Sequence, residues 1–334
     1  MELTGSKFVY VDWHNDYDRH LMSQCANCCS RVFLNNPLDK RARGIVRFLY
    51  KAHMSPKVNK VIRVPFKKIW NQFFLEKRIK KALTKQDNVI FVFSGMACKY
   101  LNIELTKHLK KTYPNSRNIY LFSDKVETVA HLSSIEAIKA GFDVVLSYND
   151  KDVEKHSLIK EPLRPYDYST VEDDEKIEGS DIFYVGKDKG RIKDIIRVFE
   201  KAKSLNLKCD FTVLGVPQEQ REYCDEIEYE KRISYPEMLK RVKRSKSVLN
   251  IVQDGADGVT LRDYEAITMN KLLITNSKKI KELPNYNEDM FIDLEDLDAQ
   301  LDKIVKFHGK AAWNGNIIMP YEEYFDKLEK ICSD

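Results

Sequence analysis

Five residues suited to holding phosphate, Gly186, Lys187, Lys189, Gly190 and Arg191, fall within DIFYVGKDKGR, from Asp181 to Arg191. The apolar run before Gly186 reads as a buried strand, a short basic loop follows, and Gly190 leads into a helix starting near Arg191. Ligands of open α/β sheets sit at the carboxyl ends of strands, where a helix N-terminus offers backbone N–H groups and a favourable dipole to an anion. Lys187, Lys189 and Arg191 would add charge for a diphosphate. A tight strand-to-helix turn with solvated lysines has the same local pattern.

The segment QDGADGVTLRDYEAITMNKLLIT, from Gln253 to Thr275, narrows the choice. A strand enters a Gly-rich loop, Thr260 can cap the next helix with Asp263 three residues on, and Glu265 follows in the second turn. The strand KLLIT then follows directly. Here the sequence resembles the donor-binding half of GT-B glycosyltransferases, whose pattern runs from an acidic residue through a Gly-Leu-Thr-like loop to a Glu-Ala helix and a short strand. Gly258, Val259 and Thr260 match the loop, Glu265 and Ala266 match the Glu-Ala pair, and Leu272 to Thr275 match the strand. The resemblance implies that Glu265 holds the donor ribose and that the loop backbone meets the diphosphate. Arg262, in the Thr-Leu-Arg string, joins the implied donor-binding set. The spacing from Thr260 to Glu265 is longer than in the large family of retaining enzymes, and Asp257 stands nearest their first glutamate, so the stereochemistry is left open. The string is most similar to enzymes of lipopolysaccharide and capsule assembly.

Upstream, ISYPEMLKRVKRSKSVLNIVQ keeps the same order of parts, and the resemblance places Ile233 and Tyr235 beside the nucleotide base. It covers about Asp181 to Asp293, roughly a third of the chain. In the first half, VDWHNDYDRH follows the opening strand, so His14, Asn15 and Asp16 fall on a carboxyl-end loop. An inverting transfer needs a base at the acceptor hydroxyl, and His14, then Asp16, are the candidates. The alternative is a surface loop with a satisfied histidine. The SGMACK loop, Ser94 to Lys99, is placed to contribute N–H groups or Lys99.

These residues need elements to hold them. Short runs rich in Val, Ile, Phe and Tyr recur between amphipathic stretches, as in parallel sheets with helical crossovers. Strands are expected at Phe8 to Asp12, Val89 to Ser94, Ile119 to Phe122, Asp143 to Tyr148, Asp181 to Gly186, Phe211 to Gly215, Ser247 to Val252, Lys271 to Thr275 and Met290 to Asp293. Helices are expected at Ser133 to Ala140, with Gly141 as C-cap, and near Gly190 to Leu205, Pro236 to Arg244, Leu261 to Met269, Leu294 to Phe307 and Tyr321 to Ile331. The segment EPLRPYDYSTVEDDEKIEGSD has the composition of an interdomain connection. The expected architecture is two Rossmann-like α/β domains of GT-B type facing each other across a cleft. Residues 1–165 form the acceptor-side domain, 166–180 the linker, 181–315 the nucleotide-sugar domain, and 316–334 a helix packing back on the first domain.

Composition removes several classes. No apolar run approaches a bilayer span, and the N-terminus lacks the zones of a signal peptide, so a cytoplasmic protein is expected. Seven cysteines, odd in number and unevenly spaced, do not form a secreted disulfide framework. Cys25, Cys28 and Cys29 lack a fourth zinc ligand and read as core or loop thiols. No GxGxxG follows a first strand, which disfavours a dinucleotide-dependent oxidoreductase. A GT-A enzyme would need an Asp-x-Asp metal site, whereas Asp173 and Asp174 lie in the acidic linker, where they are expected to be solvated. No metal or cofactor is expected, with basic side chains and helix dipoles stabilising the leaving nucleoside diphosphate.

The expected activity is therefore transfer of a sugar, from a UDP- or GDP-sugar, to a glycan or lipid-linked glycan of a bacterial surface polysaccharide. A noncatalytic sugar-nucleotide-binding protein on the same scaffold is the alternative. Between Asp39 and Lys85, Lys and Arg interleave with Phe, Trp, Leu and Ile. Residues 41–81 suit either an anionic membrane surface at the inner face or a solvated helix with its apolar side on the core. No nucleic-acid module accompanies these charges, so nucleic acid is not an expected partner.

Overall fold

The computed structural model describes residues 5–11, 16–55, 58, 62, 64–94, 103–127, 134–162, 164, 166–253, 258–315, 317 and 319–333. The chain divides into two compact units, one of Met1–Tyr166 with Met319–Asp334, the other of Asp167–Ile318.

Unit 1 holds a parallel sheet of β1 (Lys7–Val11), β2 (Val32–Asn35), β3 (Val89–Ser94), β4 (Ser116–Phe122), β5 (Val144–Ser147) and β6 (Ile159–Lys160), in the order β2-β1-β3-β4-β5-β6. Its helices are α1 (Asp16–Cys28), α2 (Leu38–Arg41), α3 (Gly44–Met54), α4 (Lys77–Ala82), α5 (Ile103–Thr112), α6 (Ile135–Gly141) and α7 (Asp150–His156). VIFVFS forms β3 and is buried at all six positions, because a parallel strand covered on both faces needs no polar alternation. Its Phe91 and Phe93 share a core with Val9, Leu109, Tyr120 and Phe122. Ser134 caps α6 by accepting from the Ala137 N–H at 3.1 Å. Gly141 is the last helical residue rather than the cap, which is Phe142.

Unit 2 holds β7 (Ser180–Lys187), α8 (Ile192–Ser204), β8 (Cys209–Leu214), β9 (Glu228–Tyr229), α9 (Tyr235–Lys243), β10 (Ser245–Asn250), α10 (Leu261–Thr268), β11 (Leu272–Thr275), β12 (Phe291–Asp293), α11 (Leu297–Gln300) and α12 (Asp302–Lys306). Its sheet is also parallel, in the order β12-β11-β10-β7-β8-β9. In α8 the buried residues Ile192, Ile195, Ile196, Phe199 and Ala202 repeat at three- and four-residue steps, so one face of the helix meets the core. The expected pair of Rossmann-like α/β sheets is borne out.

Differences are local. The helix expected from Leu294 to Phe307 is a 3₁₀ turn at Leu294–Asp296 followed by α11 and α12. The Asp293 carboxylate accepts from the Glu295 N–H at 3.1 Å and starts the turn. Leu294, Leu297, Leu301 and Ile304 still form one buried row, so the interruption loses no core contact. The connection after Tyr166 is not free chain. Tyr168 and Val171 are buried, and Lys243 donates to the Val171 carbonyl. Asp173, exposed as expected, and the half-buried Asp174 also pair with Arg244 at 3.0 Å and Lys240 at 3.2 Å.

The last helix, α13 (Tyr321–Ser333), packs within unit 1. Phe325 packs on Phe8 with ring centroids 4.8 Å apart and the rings tilted by 50°, and Arg31 reaches Glu322, Asp326 and Glu329 at 3.0, 2.5 and 3.2 Å. Cys25 and Cys29 are buried, and the Cys29 thiol donates to Glu322 at 3.1 Å. Among the described residues no group of His, Cys, Asp and Glu is arranged to hold a metal, and no helix is long and apolar enough to cross a membrane.

Candidate nucleotide-sugar site

The strand order of unit 2 reverses between β7 and β10, which makes their carboxyl ends the topological switch point of the sheet. Asp188 to Arg191 follow β7 and Ile251 to Gln253 follow β10 at these ends.

The two loops are tied together by side chains. Arg191 donates from Nε to the Asp188 carbonyl at 3.0 Å, from Nη1 to the Ile251 carbonyl at 2.5 Å, and from Nη2 to the Lys187 carbonyl. It therefore acts as a clamp between the loop after β7 and the loop after β10. Lys189 reaches Gln253 Oε1 at 3.5 Å, and Lys187 and Lys189 are exposed. The turn needs left-handed backbone at Lys189 (φ 47°) and Gly190 (φ 84°). Gly186 is required by close approach, since a Cβ there would lie 2.8 Å from the Tyr184 hydroxyl.

Asp188 went unremarked in the sequence. It is buried, and its carboxylate accepts from the Ile192 N–H at 2.7 Å. The first turn of α8 thus already carries an anionic partner, which leaves the exposed Lys187 and Lys189 as the positive groups of this loop. The legible signal is an Asp four residues ahead of a helical isoleucine.

The second loop ends in a tighter construction. Gly258 is buried with φ 107°, and Val259 and Thr260 are half-buried. Asp263 Oδ2 accepts from the Thr260 N–H at 2.7 Å and from its hydroxyl at 3.0 Å, fixing the start of α10. Asn250 donates to Thr260 Oγ1 at 2.9 Å and to Asp263 Oδ1 at 2.6 Å. Burial pushes the Asp263 carboxyl up to about 6 against these bonds. Asn276 clasps Val252 by accepting from its N–H at 2.7 Å and donating to its carbonyl at 3.1 Å. Asn250 and Asn276 were not singled out in the sequence, because a polar residue at a strand end carries no periodic signal.

Glu265 is 1% exposed. Its Oε1 accepts from the Tyr235 hydroxyl at 2.7 Å, and its Oε2 pairs with Arg262 at 2.6 Å. Burial raises its pKa, opposed by the Arg262 charge and the Tyr235 hydrogen bond. Glu265, Tyr235 and Arg262 are thus one cluster. Tyr235 opens α9, where Ser234 caps by accepting from the Glu237 N–H at 3.3 Å. Ile233 lies just before this cap and is half-buried.

In unit 1 the sheet order reverses between β1 and β3. His14 and Asn15, and residues 95–99 of the SGMACK loop, lie outside the described residues, as does Asp257. Asp16 is exposed at the first position of α1. The buried carboxylate here is Asp18, two residues on, which accepts from Ser94 Oγ at 2.9 Å and pairs with Arg164 at 2.6 Å. Arg164 also pairs with the buried Glu161.

Residues 192–312 match a family model described as glycosyl transferase-like. The match runs from the first residue of α8 to just past α12, a little over a third of the chain, and the matched stretch includes Tyr235, Gly258 to Arg262 and Glu265. No curated protein matches the chain. Among solved structures, the chain is similar to the UDP-GlcNAc 2-epimerase of Methanocaldococcus jannaschii, at 10% identity over 98% of this chain and 99% of that one, with TM-score 0.49. It is similar to a UDP-forming trehalose-phosphate synthase of Burkholderia xenovorans at 11% identity, covering 98% and 94%, with TM-score 0.48. It is similar to TarM at 13% identity, covering 76% of this chain but only 53% of TarM, with TM-score 0.44. At these identities the likeness is one of fold alone.

Proposed function

We propose that the protein is a nucleotide-sugar-dependent glycosyltransferase whose donor binds at the β7/β10 edge of unit 2. The observation that carries this reading is that the glycosyl transferase-like match includes the cluster of Glu265, Tyr235 and Arg262 and the loop of Gly258 to Thr260. A carboxylate has about four lone-pair sites, and Glu265 has one partner on each oxygen, so lone pairs remain for a ribose diol, which must part the side chains that bury the carboxylate to reach them. Val259 and the Gly258 backbone face the diphosphate, Lys187 and Lys189 supply its charge, and Ile233 and Tyr235 flank the base. Arg191 contributes by holding the two loops in register.

Basic side chains and helix dipoles then stabilise the leaving nucleoside diphosphate without an essential metal. The acceptor is a glycan or lipid-linked glycan of a surface polysaccharide, handled by a cytoplasmic enzyme, and deprotonation of its hydroxyl falls to His14 or Asp16.

A thermal-shift screen across UDP, GDP, CMP, dTDP and their sugars tests the reading, since a ligand at 100 times its Kd stabilises by about 2.7 kcal/mol. One nucleotide class should raise Tm, and its sugar should then be hydrolysed or transferred. Binding without turnover would favour a noncatalytic sugar-nucleotide-binding protein. A response to nicotinamide dinucleotides alone would replace the proposal with an oxidoreductase.

A further inference from the structure

Helix α3 has an apolar face that nothing in the described fold covers. Ile45, Phe48, Leu49 and Ala52 recur at three- and four-residue steps and so share one side of the helix. All are exposed, Ile45 at 73% and Phe48 at 70%, and α3 contains no buried residue. The helix is nonetheless attached by its other side. Tyr50 meets Trp70 edge-on at 5.2 Å, and Trp70 Nε1 donates to His53 Nδ1 at 2.9 Å. The 3₁₀ helix that carries Trp70, Lys67–Phe73, adds outward-facing Ile69 and Phe73, and Phe66 before it is 71% exposed. The expectation of a solvated helix with its apolar side on the core is therefore not met by α3, whereas α4 in the same segment meets it, with Ile79 in the core of unit 1.

Charge decides what fits this face. From Arg41 to Lys81 the sequence has thirteen Lys and Arg residues and a single acidic one, Glu76, within a chain whose net charge is +5. The rest of the protein is therefore net acidic. Arg43, Arg47, Lys51 and Lys68 are exposed beside the apolar residues. A second copy seated on this face would bring like charges together, whereas anionic headgroups would meet the basic residues while Phe48, Leu49 and Phe66 enter the acyl boundary.

We propose that α3 and the 3₁₀ helix after it form a docking surface for an anionic lipid bilayer. Binding lies in the plane of the interface, with the aromatic and aliphatic residues inserted and the basic residues on phosphate. This inference is independent of the donor reading, because it rests on unit 1 alone.

The test is flotation of the full chain with phosphatidylcholine vesicles, with and without phosphatidylglycerol. The wild type should float only with the anionic vesicles, and less so as salt rises from about 50 to about 500 mM, where the Debye length shortens severalfold. Phe48→Ser with Leu49→Ser should lower partitioning about tenfold or more. Arg47→Gln should lower it about fivefold. Both changes lie on exposed positions, and an unchanged Tm for each variant confirms that folding is intact. Absent or equal partitioning into the two vesicle types, or an undiminished serine variant, would overturn the proposal. So would a lipid-free dimer in light scattering that the serine variant converts to monomer, since a second copy would then cover the face.

Discussion

Tyr235 and Glu265, thirty positions apart, meet in a buried hydrogen bond of 2.7 Å that joins the start of α9 to the middle of α10. The same carboxylate binds Arg262, so one acidic side chain positions two elements at the edge where the donor is proposed to sit. Glu265→Gln keeps the shape but replaces one acceptor oxygen with a donor. Donor affinity should fall about 10- to 150-fold, as expected for losing charge-assisted bonds of about 1.5 to 3 kcal/mol. Calorimetric titration of the nucleoside diphosphate and its 2′-deoxy analogue reads this directly. If the variant still prefers the ribose form as strongly as the wild type, Glu265 does not contact ribose.

Asp263 supplies a pH-dependent difference. Its folded pKa, about 6, stands above the ordinary 3.8, so the folded state holds this proton more tightly than the unfolded chain. Its contribution is fully present below about pH 4 and is lost as pH rises through 6. The stability of wild type relative to Asp263→Asn, which does not titrate, should fall by roughly 1 to 3 kcal/mol between pH 4 and 7. Urea unfolding of both proteins across that range is the measurement, and parallel curves would reject the assignment.

Arg31 anchors α13 through three carboxylates and lies over the Phe8 ring at 5.5 Å. Arg31→Met should cost about 2 to 4 kcal/mol, and Arg31→Lys less, because an ammonium lacks the planar fork that spans several carboxylates. Hydrogen exchange should accelerate first in α13. Uniform acceleration throughout unit 1 would show that the helix is not a separable element.

The acceptor base is read by kinetics. His14→Ala should lower kcat by roughly 100-fold or more while nucleotide binding stays intact. Near-wild-type turnover would pass the role to Asp16, with Asp16→Asn as the next variant.

The alternation of strands and helices was legible because buried parallel strands such as VIFVFS are continuous apolar runs, and α8 repeats its apolar residues at helical steps. β6 and β9 were not legible, being two residues long at sheet edges, where pairing and not composition makes a strand. At the site, Thr260, Asp263 and Glu265 could be read because capping and helix position follow from local spacing. The clamp made by Arg191, the clasp made by Asn276 and the ion pairs of Asp173 and Asp174 could not, since each depends on a partner brought close only by folding. Arg191 shows the limit well: a cation in a phosphate-like loop is engaged by carbonyls of its own chain.

The return of α13 to unit 1 has a consequence during synthesis. Ser6 hydrogen-bonds Glu329 across 323 positions of sequence, and unit 2 lies wholly between them. At about 5 to 20 residues per second, Phe8 leaves the ribosome roughly 15 to 60 s before Phe325 exists to cover it. Over that interval the strands of unit 2 emerge in turn, while unit 1 waits with Phe8 uncovered by its last helix. The unit that begins the chain thus cannot close until the whole of the inserted unit has been made.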